Sequence, residues 1–479
     1  MQRIYIQDLS KHKDEEVTIK GWVDVRRDQG KMIFLDIRDV TGKVQCVVLP
    51  VKDAEASAMD VAQRLRSEWV IEMKGKVNAR PIKNIKEDVA NGDIELEVLE
   101  IKVLNEANTP AFDLSTSGYE VNEEVRMKYK YLDLRRDRLQ NNIKMRNKVT
   151  NLVRETFQDQ NFLEIETPLM TNPTSEGSRS YLVPSRLWTG KYYALPQSPQ
   201  QYKQLLMAAG FERYFQFAKC MRDEDTRGDR QPEFTQMDLE MSFASREEIM
   251  QVNESVLIKI VQELYPEKRI QQIPFPVFTY NEVMEKYNSD KPDIREDKND
   301  PDLLAFCWVI DFPFFEKTNK DNNVDDTGEW TFTHNPFSRP KDEYISDMMN
   351  KINIGDILTS QYDIALNGYE IGGGSIRNHD PEALKKVLEI MGYDDYRIES
   401  NYGHMLKALG SGCPPHGGIA WGFDRLMMIL QNEPNIREVM AFPKTGEGKD
   451  LLMDAPSLPN IKTLKELGIL YKNKKDENK

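Results

Sequence analysis

Residues 17 to 104 read mostly as short strands, and the clearest sign is a strict alternation near their end. Ile94, Leu96 and Val98 are separated by Glu95 and Glu97, which puts three apolar side chains on one side of an extended chain and two carboxylates on the other. The earlier runs VTIKGWV, MIFLDIRD, VQCVVL and WVIEMKGKV are short, rich in β-branched and aromatic residues, and separated by turn formers. A helix-like stretch around Val61 to Ser67 lies between the third run and the fourth. Each run offers one apolar face, so the expected solution is a small sheet closed around those faces: a five-stranded barrel with a helix between its third and fourth strands.

That is the OB topology, a common platform for nucleic acids that serves equally well as a plain structural module. The 79 acidic and 65 basic residues give a net charge of −14, which argues against a simple basic nucleic-acid binder but leaves room for a local cationic patch. With 479 residues, 39% of them hydrophobic, the chain can bury more than one core. Cys46, Cys220, Cys307 and Cys413 lack the paired spacing of a zinc site or a disulfide framework. No apolar run approaches the ~18 residues needed to span a bilayer, and the opening MQRIYIQDLS has no secretory core. The expectation is a cytoplasmic protein with no membrane partner.

The polar stretch from Asn105 to Gly118 includes Thr109-Pro110 and reads as a linker. The run MKYKYLDLRRDRLQ (127–140) is dense in cations and reads as a solvated helix entry. It leads into a helix whose Val149, Leu152, Val153, Thr156 and Phe157 share one face. From residue 141 onward helices alternate with strand pairs that look antiparallel, an α+β pattern. The expected division is a barrel domain at 1–106, a linker or hinge at 107–140 and a larger domain at 141–479. There is no GxGxxG fingerprint and no P-loop, so a nucleotide would need another cradle.

Four segments carry candidate chemistry. In the strand pair of residues 213–241, Thr235, Met237, Leu239 and Met241 form one face while Phe234, Gln236, Asp238 and Glu240 form the other. Arg222 and Glu224 lie on the first strand, and Arg227 and Arg230 in the loop. Arginines can grip phosphate, a glutamate can accept from an exocyclic amine, and a phenylalanine can stack on a base; an ordinary hairpin with a solvated loop is an equal alternative. In YDIALNGYEIGGGSIR (362–377), the Asn367-Gly368 turn sets Leu366 opposite Tyr369 and Ala365 opposite Glu370, which puts Asp363 and Glu370 on one face. Two such carboxylates can hold Mg²⁺ against phosphates, and the glycines 372–374 either admit a ligand or mark a bulge. In GGIAWGFDRLMMIL (417–430), Arg425 falls in the first turn of a helix, where it either meets an anion or pairs with Asp424 or a neighbour. In QSPQQYKQLLMAAG (197–210), Ser198 caps a helix that ends at Gly210, with Leu205, Leu206 and Ala209 toward the core and Gln200, Lys203 and Gln204 elsewhere.

Taken in this order, the segments resemble the motifs of class II aminoacyl-tRNA synthetases, and ALPQSPQQYKQ, TSEGSRSYLVPSR and NGYEIGGGSIR are similar to aspartate–tRNA ligases of the bacterial type. FLEIETPLM (162–170), with Pro168, resembles motif 1, the Arg222 to Glu240 hairpin motif 2, and GGIAWGFDRL motif 3; GWVDVRRDQGKMIFLDIRD resembles the family's anticodon-binding barrel. The resemblance covers nearly the whole chain. It implies an OB-fold barrel followed by an antiparallel-sheet catalytic domain, a homodimer built through motif 1, and activation of L-aspartate with ATP before transfer to tRNA(Asp), with tRNA(Asn) left open as a second acceptor.

The resemblance also implies roles. Arg222 and Arg425 become the catalytic cations. Arg222, Asp223, Glu224, Gln231, Phe234, Glu370, Gly422, Phe423, Asp424 and Arg425 become ATP contacts. Glu176, Ser198, Gln200, Lys203, Arg222, Gln236, Asp238, His334 and Arg377 become aspartate contacts. Asp363 and Glu370 become the Mg²⁺ carboxylates, and Arg27, Phe34 and Gln45 the anticodon contacts. Two departures stand out: residues 270–320 read as a shortened form of the domain that bacterial members insert between motifs 2 and 3, and Asn335 follows His334 where the family often has a second histidine. The competing readings are a synthetase-like binding protein without catalysis, an asparagine–tRNA ligase, and an amide-forming relative that needs no tRNA. The barrel argues against the last and Lys203 against the asparagine enzyme.

Overall fold

The computed structural model describes residues 2–50, 57–173, 177–318 and 328–470; Glu176 lies outside the described residues. Two compact units are present, Met1–Thr116 and Ser117–Lys479.

In the first unit, β1 (Glu16–Asp28), β2 (Ile33–Arg38), β3 (Lys43–Val48), β4 (Val70–Ala79) and β5 (Ile94–Asn105) close a barrel in the order β1-β2-β3-β5-β4. Helix α1 (Ala58–Arg64) lies between β3 and β4 and starts with a capping box, Ser57 and Asp60 each satisfying the other's backbone N–H. The alternation read from sequence appears as burial: Ile71, Met73 and Val77 of β4 and Leu96 and Val98 of β5 point inward. On the outward face, Arg27 stands opposite Phe34 and Asp36 opposite Gln45. Arg27 holds Asp36 through two hydrogen bonds of 2.7 and 2.9 Å.

The second unit begins with α2 (Glu123–Lys128), α3 (Lys130–Asp133) and α4 (Asp137–Asp159). Here the solvated reading of the cation-rich stretch is corrected. Arg126, Lys130 and Arg136 are buried around Asp133, with N–O distances of 2.9 to 3.1 Å. Arg126 also reaches Glu438 at 2.6 Å, and Arg138 binds Glu433 at 2.6 Å and Glu438 at 2.8 Å. Sequence periodicity misses such a cluster because the acidic partners Glu433 and Glu438 lie some three hundred residues away. The expected face of α4 is buried as read.

The sheet of this unit has eight strands: β6 (Leu163–Glu164), β7 (Arg213–Met221), β8 (Glu233–Ser242), β9 (Val277–Thr279), β10 (Phe306–Ile310), β11 (Gln361–Leu366), β12 (Tyr369–Ile376) and β13 (His416–Gly422). Their order is β9-β10-β11-β12-β13-β8-β7-β6, antiparallel except at its two outer pairs. Phe157, Phe215, Met237, Leu239, Ile419 and Trp421 belong to the core on one side of the sheet. Among the described residues no helix is long and apolar enough to cross a membrane.

Candidate active site

Opposite that core, β8 turns Phe234, Gln236, Asp238 and Glu240 to the other face, as the period of two requires. Phe234, Gln236 and Asp238 line a cavity of about 390 Å³. Its walls also carry Ser198, Gln200, Lys203, Arg222, Glu224 and Gln231, and on the far side His334, Glu370, Arg377, Gly422, Asp424 and Arg425. Residues from segments more than two hundred positions apart thus share one space.

At one end lies a buried set of four charges. Lys203 Nζ donates to Asp238 Oδ1 at 2.5 Å and lies 3.2 Å from Glu240 Oε2. Arg377 binds the same Glu240 through Nε at 2.9 Å and Nη2 at 3.2 Å, and donates to Ser375 Oγ at 2.8 Å. Burial alone would raise the Glu240 carboxyl, but Arg377 and then Lys203 outweigh it and hold it down to about 2. Asp238 goes the other way: burial raises its carboxyl against the pull of Lys203, and Asp238 Oδ2 is buried without a protein partner. An incoming ammonium would satisfy that oxygen. The two cations therefore do not stand alone as the sequence reading had them. Glu240 is the residue that reading placed on the right face without giving it a role. Gly418 marks its position: a Cβ there would come within 2.0 Å of Glu240 Oε2 and 2.1 Å of the Leu239 carbonyl.

Lys203 is presented by α5 (Gln200–Ala208), whose sidedness is the reverse of the expected one. Gln201, Lys203, Gln204 and Met207 are its buried positions, whereas Leu205 and Leu206 are half-buried and Ala209 is exposed. The polar residues go inside because partners wait there: His416 Nδ1 donates to the Pro414 carbonyl at 2.8 Å, leaving Nε2 to accept from Gln204 at 3.1 Å. Ser198 accepts from the Gln200 N–H at 3.3 Å, and the helix begins one residue later than the sequence reading had it.

At the other end, Arg222 lies with its guanidinium 5.3 Å from the Phe234 ring centroid, a cation over an aromatic face. Glu224 is held by Ser178 and by Arg230 at 3.5 Å. Gln231 accepts from the Lys444 N–H at 2.7 Å while its Nε2 is buried without a partner. Helix α6 (Phe423–Leu430) brings in Arg425, which donates to the Glu370 carbonyl and to Asp229 at 3.0 Å. Asp424 accepts from Arg146 at 2.6 Å and from the Thr235 N–H at 2.7 Å, so its carboxylate fastens the helix to α4 and β8. Two expected ATP contacts are not on the cavity wall. The Phe423 side chain is buried in the core, edge-on to Phe217, and Asp223 is bridged through its backbone to Arg179.

The β11–β12 hairpin pairs Leu366 with Tyr369 and Ala365 with Glu370 as its turn requires, then takes in one extra residue, so that Asp363 faces Gly373. The glycines allow close strand approach as well: a Cβ on Gly374 would meet the Gly418 carbonyl at 2.2 Å. Burial raises the Glu370 carboxyl, and the like charge of Asp363 adds to it. Asp363 accepts from Gln361 at 2.7 Å and lies 3.3 Å from His334 Nε2. Two crowded carboxylates fit a divalent cation. Among the described residues no cluster of three or more His, Cys, Asp or Glu could hold a metal by itself, so such a cation would need ligand oxygens as well.

The profile of class II tRNA synthetases (D, K and N) matches residues 122–446, and that of the OB-fold nucleic acid binding domain matches residues 17–104. The chain belongs to the class II tRNA synthetases of the D, K and N group. The aspartate–tRNA(Asp/Asn) ligase of Rubrobacter xylanophilus is 37% identical over 579 aligned positions, covering 95% of this chain and 94% of that one. The aspartate–tRNA ligase of Staphylococcus aureus is 35% identical over 580, covering 95% and 96%. Among solved structures, asparaginyl-tRNA synthetase from Pyrococcus horikoshii complexed with asparaginyl-adenylate gives a TM-score of 0.73 at 22% identity, covering 93% of this chain and 98% of that one. Aspartyl-tRNA synthetase from Entamoeba histolytica gives 0.71 at 22%, covering 92% and 91%. These two likenesses concern the fold.

Proposed function

We propose that this chain is an aspartate–tRNA ligase, and that the observation carrying the amino-acid choice is the Lys203 and Arg377 pair on the cavity wall. The side-chain carboxylate of L-aspartate is received by these two cations, and its α-ammonium by Asp238 Oδ2. The adenine of ATP lies against Phe234 with Glu224 accepting from its amine, while Arg222 neutralises the α-phosphate and Arg425 the outgoing pyrophosphate. The aspartate α-carboxylate oxygen attacks the α-phosphorus, and the bond to pyrophosphate breaks. The terminal hydroxyl of tRNA then attacks the activated carbonyl, loses its proton, and AMP leaves. No side chain has to act as a covalent nucleophile; the work is positioning and charge neutralisation. Asp363 and Glu370 would hold Mg²⁺, which when bound supplies further neutralisation of phosphate charge.

The outward barrel face of Arg27, Phe34 and Gln45 receives the anticodon, with Phe34 stacking on an unstacked base. The proposed division is a barrel at 1–106, a linker that begins at 107, and a catalytic domain that takes in α2 and α3 as well as 141–479, because Arg126 and Arg138 are ion-paired to Glu438. Residues 270–320 are read as a shortened insertion; the alignment with the Rubrobacter relative is longer than this chain, 579 positions against 479 residues, as a missing insertion requires. The enzyme is a cytoplasmic homodimer. A second acceptor, tRNA(Asn), is favoured by the Rubrobacter relative's name. Pyrophosphate exchange with aspartate against asparagine, followed by charging of purified tRNA(Asp) and tRNA(Asn), tests the whole reading. Exchange supported equally by asparagine overturns it.

A further inference from the structure

One carboxylate on the cavity wall, Asp229, has no part in the proposed reaction. Asp229 stands in the turn between β7 and β8, and its carboxylate accepts from Arg425 Nη2 at 3.0 Å. The turn is held from two sides: Arg227 and Arg230 exchange backbone hydrogen bonds of 3.1 and 3.2 Å, and the Gly228 carbonyl accepts from the Ile436 N–H at 3.0 Å. Arg425 is equally constrained, because it also donates to the Glu370 carbonyl. Its Nε is buried without a partner, and both residues line the cavity. An anion is thus fixed beside the cation that the reading above assigns to phosphate. An arriving triphosphate would compete with Asp229 for one guanidinium and be repelled by its charge, which favours release of the carboxylate.

We propose that Asp229 is a displaceable anion that occupies Arg425 in the nucleotide-free site. ATP exchanges a carboxylate for a phosphate on Arg425, and pyrophosphate departs as the carboxylate returns. Asp229 therefore sets nucleotide affinity without touching the reacting atoms: it keeps Arg425 extended into the cavity and lowers the affinity for ATP and pyrophosphate. The inference rests on the reading of Arg425 as a phosphate contact.

The test is calorimetric titration of the full-length protein with Mg·ATP, together with KM values for ATP and pyrophosphate in the exchange reaction. Asp229→Asn is expected to bind ATP roughly two- to fivefold more tightly, the range set by a partly exposed ion pair, and to lower the pyrophosphate KM in parallel. Asp229→Glu, which keeps the charge, is expected to stay near wild type. In an Arg425→Ala background, where ATP binding is weakened, Asp229→Asn is expected to add nothing. Unchanged or weaker ATP binding by Asp229→Asn, with Arg425→Ala still weakened, overturns the exchange and leaves the reading of Arg425 standing. Unchanged ATP binding by Arg425→Ala overturns that reading and the exchange with it.

Discussion

Glu240 and Arg377 meet through two hydrogen bonds, Nε to Oε1 at 2.9 Å and Nη2 to Oε2 at 3.2 Å, with both side chains buried. A two-point contact of this kind fixes the plane of the guanidinium as well as its position. Glu240 also lies 3.2 Å from Lys203, so one carboxylate orients both cations of the pocket.

Removing Glu240 leaves Arg377 buried and unmatched, so Glu240→Gln is expected to destabilise the protein by about 3–5 kcal/mol at neutral pH. The carboxyl is depressed on folding, from 4.5 to about 2. Its contribution is therefore fully present above pH 4.5 and declines as pH falls toward 2. Urea unfolding of wild type and Glu240→Gln at several pH values should show a gap that is constant from neutral pH down to about 5 and narrows below. A gap that widens on acidification contradicts the ion-pair account.

Lys203→Met removes one cation from the proposed aspartate pocket and none from the nucleotide end. Loss of a desolvated ionic partner costs roughly 2–5 kcal/mol, which corresponds to a thirtyfold to several-thousandfold fall in kcat/KM for aspartate. ATP affinity, measured by titration without aspartate, should change little. Unaltered aspartate kinetics would remove Lys203 from the pocket.

Phe34→Ala removes the proposed stacking surface for an anticodon base, expected to cost ~1–3 kcal/mol, or about five- to 150-fold in tRNA affinity. Aminoacylation is expected to suffer while pyrophosphate exchange, which needs no tRNA, continues at the wild-type rate. Equal losses in both assays would point to an unfolded barrel.

Leu163, Leu169, Met170, Leu182 and Trp188 are all about half exposed or more, an unusual concentration of apolar surface in and just after the motif 1 segment. Sedimentation equilibrium is expected to give a particle twice the 55.6 kDa of the chain. A fully active monomer at micromolar concentration excludes a required dimer.

What could be read in advance follows from how local each signal is. The barrel strands announce themselves because the apolar face of β4 lies within ten consecutive residues, and the Asn367-Gly368 turn fixes the first pairs of its hairpin by chemistry confined to two positions. The extra residue after Glu370 was not legible, since it answers to close packing of neighbouring strands. Helix α5 was assigned the wrong inner side because Lys203 and Gln204 are buried only by virtue of Asp238, Glu240 and His416, which arrive from other strands. The buried charge around Asp133 escaped for the same reason, its outer partners lying near the far end of the chain.

That last arrangement has a consequence for how the protein is made. Arg126 and Glu438 are separated by 312 positions, so a ribosome adding ~5–20 residues per second needs about fifteen seconds to a minute to supply the acid after the base. Throughout that interval Arg126, Lys130 and Arg136 have Asp133 to hand, while Glu433 and Glu438 have yet to be made. The first helices of the second unit thus gain two of their carboxylate partners, Glu433 and Glu438, only when translation has nearly finished. Chaperone capture should therefore track the synthesis of residues 433–438, while the barrel, already complete within the first 116 residues, emerges early with its core partners to hand.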